Sequence, residues 1–86
     1  MDAPTWPGHG RLWSHLISDV SFAELHDFAE RIGVPREAFD GDHYDLVSER
    51  YAAAVAAGAI PVNSREVVAA LHRAGLRRRK RSRLAP

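Results

Sequence analysis

Asp2, His9, Asp19, His43 and Asp45 are residues of the types that hold a divalent cation, spread across the first half of the chain. Imidazole nitrogen and carboxylate oxygen suit a borderline ion, which lowers the pKa of bound water and makes it a nucleophile at neutral pH. Ser64 and Arg65 offer a hydroxyl and a guanidinium to a phosphate, and His26 is placed to support such a site from behind. The set points to a metal- or phosphate-binding domain and, in its most specific form, to a metal-assisted phosphoester hydrolase. Anion binding without chemistry fits the same residues. Plainer roles stand beside these: Asp45 and Asn63 as helix caps, and Asp19 pairing near a helix start. His15 is read separately. It alternates with Trp13 and Ile17 on a strand, and in a regular strand it lies about 13 Å from Asp19, too far for the two to share one ion. That pattern predicts a hydrogen-bonded, half-buried histidine. His72, near the end of a helix, is well placed against the helix dipole.

The elements that must position these residues follow from punctuation and periodicity. Residues 1–11 carry Pro4, Pro7, Gly8 and Gly10 and read as a loop, followed by a strand over 12–18. Ser21 and Glu24 form a capping-box pair that opens a helix with Phe22, Leu25, Phe28, Ala29 and Ile32 on one stripe; Gly33 and Pro35 stop it. A polar loop spans 36–45, and an alanine-rich helix covers 47–57. Residues 59–62 read as a short strand that Pro61 confines to an edge, and Asn63 and Glu66 open a third helix ended by Gly75. The order predicts a small single α/β domain over residues 1–76, with a short parallel sheet of two or three strands packed with three helices. In such a sheet ligands bind at the carboxyl ends of the strands, where helix N-termini gather. Asp2, His9, Asp19, His43, Asp45, Ser64 and Arg65 are expected around that edge.

Four segments in order, Asp2-Ala3-Pro4-Thr5-Trp6-Pro7, Trp13-Ser14-His15-Leu16 with Asp19, Glu24-Leu25-His26 with Phe28-Ala29, and His43-Tyr44-Asp45, resemble the uncharacterised bacterial family called domain of unknown function 4031. The resemblance covers roughly residues 2–75 and carries no activity with it. Members of that family begin with an apolar strand ending in the aspartate that matches Asp2. The resemblance therefore implies either a sheet whose first strand is absent or truncated, or a true start upstream of Met1.

Composition sets the remaining bounds. The chain has 86 residues and no cysteine, which excludes disulfides and thiolate metal sites and favours the cytoplasm. No apolar run is long enough for a membrane span. The formal net charge of +1 conceals an acidic body and a basic tail. Arg77, Arg78, Arg79, Lys80, Arg81 and Arg83 are half of the twelve basic residues, so residues 1–76 carry six basic against eleven acidic groups. Residues 77–86 are expected to be a disordered, dispensable tail. It suits nucleic-acid phosphates, so a non-catalytic nucleic-acid-associated or accessory protein is the alternative function. Named motifs fail: the stretch from Asp40 to Asp45 begins like a calcium loop, but Tyr44 and Asp45 fall where a ligand and a glycine are needed. Pro7-Gly8-His9-Gly10 lacks the spacing and lysine of a P-loop.

Overall fold

A computed structural model describes residues 1–78 of the chain. The order is β1 (Trp6–Gly8), β2 (Arg11–Leu16), α1 (Phe22–Arg31), a 3-10 turn (Arg36–Ala38), β3 (Phe39–Asp40), β4 (His43–Val47), α2 (Ser48–Ala56) and α3 (Ser64–Ala74). The strands form one sheet in the order β1-β2-β4-β3, and every neighbouring pair is antiparallel. This overturns the expected parallel sheet of two or three strands. Two tight turns make the difference. His9 and Gly10 both have positive φ, 52° and 72°, as a two-residue hairpin between β1 and β2 requires. Gly41, with φ 72°, leads the two-residue turn between β3 and β4. The Pro- and Gly-rich start and the polar loop over 36–45 thus each contain hairpin strands. Residues 59–62, expected as a strand, form none. They bond to the chain start instead, the Met1 ammonium donating to the Ile60 carbonyl and the Val62 N–H to the Met1 carbonyl.

α1 and α3 lie where their caps predict, whereas α2 starts after Val47 with no side-chain cap, so Asp45 does not cap it. Ser21 Oγ accepts from the Glu24 N–H and Asn63 Oδ1 from the Glu66 N–H, 3.0 and 2.8 Å. The return arm of each capping box is diverted. Ser18 Oγ takes the Ser21 N–H while donating to Glu24, and Glu66 pairs with Arg73. Alternation then divides the sheet between its two faces. Leu16, Tyr44 and Leu46 point to a core shared with Leu25 and Ala29 of α1, Ala54 of α2, Met1 and Val34. Registers pairing Trp6 with Trp13, Trp13 with Val47, His15 with Asp45, and Asp40 with His43 put all these residues on the opposite face. The helices therefore cover one face and leave the other, which is the polar one, open.

Candidate metal centre

Antiparallel pairing creates the site. His15 on β2 stands directly across from Asp45 on β4, and His43 is two residues before Asp45 on the same face. His43 Nε2 lies 3.1 Å from Asp45 Oδ1, and His15 Nε2 lies 3.9 Å from the same oxygen. The two imidazole rings meet edge to face with centroids 5.0 Å apart. One ligand atom from each of His15, His43 and Asp45 falls within 4.8 Å of the others. Two ligands of one tetrahedral zinc ion lie about 3.4 Å apart, given metal–ligand bonds near 2.1 Å, so small side-chain rotations close the set.

Each histidine is held from behind by its own buried carboxylate. His15 Nδ1 lies 2.8 Å from Asp2 Oδ2, and His43 Nδ1 lies 2.7 Å from Asp42 Oδ1. Asp2 is 1 % exposed and accepts three further bonds, from the His15 N–H, Trp6 Nε1 and Ser64 Oγ. Burial pushes its carboxyl up, but these donors and the His15 ring outweigh that and hold it below the ordinary value. Asp42 is governed in the same way. Burial raises it, and the Arg78 N–H, His43 and Arg77 together draw it down. Both carboxyls are therefore ionised near neutrality, and an ionised carboxylate only accepts. The hydrogens must then lie on the two Nδ1 atoms, so both Nε2 atoms turn toward Asp45. A bare Nε2 lone pair against a carboxylate oxygen is two acceptors face to face. At 3.1 Å from His43 Nε2 and 3.9 Å from His15 Nε2, Asp45 Oδ1 leaves a position that a cation can share with both nitrogens.

The expected site residues are distributed as follows. His43 and Asp45 belong to the cluster. Asp2 backs it through His15, and its Oδ2 is engaged by the His15 ring, Trp6 and Ser64. His9 sits in the β1–β2 turn, on the wall of the cleft over the cluster. Asp19 lies beyond β2 and lines a separate cavity with Leu25, Phe28 and Arg31. Ser64 donates to Asp2, and Arg65 is exposed on the first turn of α3. His26 is on the core side, its Nδ1 2.7 Å from the Tyr44 hydroxyl, away from the cluster. His15 and Asp42 are the members that sequence reasoning left out of the ligand set. The alternation around His15 was visible, but its partner across the sheet depends on a pairing the parallel reading did not contain. Of the basic residues, Arg77 and Arg78 lie within the described chain, where Arg78 N–H donates to Asp42 at 2.8 Å. Arg79, Lys80, Arg81 and Arg83 lie outside the described residues.

A small domain with an open antiparallel sheet face, bearing two carboxylate-backed histidines around a third carboxylate, is the class of protein that fold and site define. The chain belongs to the family described as "Protein of unknown function (DUF4031)", which matches residues 1–74. No curated protein and no solved structure matches it. No described helix is long and apolar enough to cross a membrane.

Proposed function

We propose that this domain binds one divalent transition-metal ion through His15 Nε2, His43 Nε2 and Asp45, and uses it for metal-assisted hydrolysis of a phosphoester. One observation carries the reading: two histidines, each with Nδ1 fixed by a separate buried aspartate, aim Nε2 at one carboxylate. Carboxylate–histidine pairs of this kind orient metal ligands and raise their basicity. Three protein ligands leave at least one coordination position for water or a phosphoryl oxygen, as hydrolytic zinc sites require. Two histidines and one carboxylate suit zinc, iron(II) or manganese better than calcium or magnesium, which prefer oxygen alone. The ion would lower the pKa of its water and polarise the phosphoryl group. The protein's own part is to fix three ligands on two rigid strands and to keep the site open on the uncovered sheet face. A chain without cysteine suits a reducing compartment, and this reading places it in the bacterial cytoplasm.

Metal content after purification and dialysis against zinc, manganese or iron(II), with hydrolysis of bis(4-nitrophenyl) phosphate as the activity, tests the reading. One equivalent of metal and metal-dependent turnover are expected, and both should vanish in His43→Ala and Asp45→Ala. Protein that takes up no stoichiometric metal from any of the three overturns the metal centre. Bound metal without hydrolysis of any phosphoester overturns the catalytic half.

A further inference from the structure

We propose that the cleft over the metal centre receives a nucleotide unit, its base stacked on Trp6 and its phosphate at the metal. The phosphate end rests on the metal reading above; the base end rests on Trp6. That side chain is 46 % exposed, yet it is held in place: Nε1 donates to buried Asp2 at 3.0 Å. Its ring meets the ring of His15 edge to face at 5.2 Å between centroids. An exposed tryptophan that is pinned rather than free loses little conformational freedom when a planar group stacks on it.

The surroundings fit the same ligand. Trp6, His9 and Trp13 line an open cleft of about 660 Å³ with the candidate metal ligands His15 and Asp45 in its wall. Both edge strands contribute to it, β1 through Trp6 and β3 through Asp40. A phosphate and the base of the same nucleotide are one sugar apart, and here the metal ligand His15 touches the aromatic platform directly. Arg11 shares the face with Trp13 and His15 but pairs with Glu49, and Arg77 pairs with Asp42 behind His43, so the proposed metal, not a basic side chain, would take the phosphate. Aromatic stacking on an open sheet face is one way in which single-stranded nucleic acid is held without reading its sequence.

Calorimetric titration of the zinc-loaded and the chelator-treated protein tests this with adenosine monophosphate, ribose 5-phosphate and a ten-nucleotide single-stranded DNA. The nucleotide is expected to bind at least about fivefold more tightly than the base-less sugar phosphate, since stacking of one base contributes about 1–3 kcal/mol. Trp6→Ala should erase that advantage. Trp6→Phe, which keeps a ring but loses the bond to Asp2, should retain most of it. Tighter binding of the oligomer identifies a strand as the source, and equal binding identifies a free nucleotide. Equal affinity for nucleotide and sugar phosphate, or unchanged nucleotide binding by Trp6→Ala, overturns the proposal. A base preference that persists in protein unable to hold zinc sinks the metal reading and leaves the Trp6 site standing.

Discussion

Asp2 and Asp42 perform the same task on different histidines, each accepting at one oxygen from an imidazole Nδ1. Asp42 is the better one to test, because its removal leaves the Trp6–Asp2–Ser64 group intact. Asp42→Asn preserves size but replaces an acceptor-only carboxylate with an amide. His43 can then present either nitrogen to Asp45. Loss of such an orienting carboxylate lowers metal affinity by about 10- to 100-fold without abolishing it. Competition with a chromophoric chelator measures this, and Asp45→Ala should fall much further. On the core face of β4, Tyr44 is 1 % exposed and shares a 2.7 Å bond with His26. Burial raises its phenol above the ordinary value of 10.0. The folded protein therefore keeps this proton more tightly than the unfolded chain does. Its contribution to stability is complete below pH 10 and is lost as pH rises toward the higher folded value. Tyr44→Phe should lower stability by about 1 kcal/mol near neutrality, for the lost bond, while flattening the decline above pH 10. Urea unfolding from pH 7 to 11 separates the two effects.

At the scale of elements, the segment after α3 belongs to the site. Gly75, with φ 71°, ends the helix in the left-handed conformation, and the chain then passes Asp42. There the Arg78 N–H and the Arg77 guanidinium approach Oδ2 at 2.8 and 3.5 Å, and the Arg78 guanidinium stacks over Phe22. Stopping the chain after Arg78 should leave metal affinity and melting temperature unchanged. Stopping it after Leu76 removes Asp42's other partners and should weaken metal binding several-fold; parallel titrations of the two truncated proteins decide it. The helices were legible because Ser21, Asn63, Gly33 and Gly75 act locally, through bonds that span three or four residues. The strands were not, because their evidence is long-range. Pro7 and Gly8 look like loop residues, yet both are in β1, and a glycine suits position 8 because a Cβ there would approach Trp13 Nε1 to 3.3 Å. His43-Tyr44-Asp45-Leu46-Val47 does alternate polar with apolar in its first four residues, but the Asp40-Gly41-Asp42 run before it masked a hairpin as a polar loop. Two of the three candidate ligands, His43 and Asp45, could be found from residue type. His15 needed the register.

For the whole molecule, the proposed metal would act as a counterion as much as a catalyst. Asp2, Asp42 and Asp45 crowd around two imidazoles in a body that is already acidic, and the thin core of a domain this small supplies a narrow margin of stability. Metal binding requires deprotonated ligand atoms, so acidification and metal uptake would compete for the same positions. An ion that binds only the folded state stabilises it by RT ln(1 + [L]/Kd), about 2.7 kcal/mol at a hundred times Kd. For a domain of this size each kcal/mol moves the melting temperature by about 4–8 °C, so saturation with zinc should raise it by roughly 10–20 °C. Differential scanning calorimetry of chelator-treated and zinc-loaded protein at pH 7 measures the shift. It should shrink as pH falls toward 5 and protons displace the ion. In His43→Ala it should disappear, whereas in His72→Ala, which alters an exposed residue in the last turn of α3, it should persist in full. A shift that survives in His43→Ala would place the bound ion elsewhere on the protein and remove the β2–β4 face as its site.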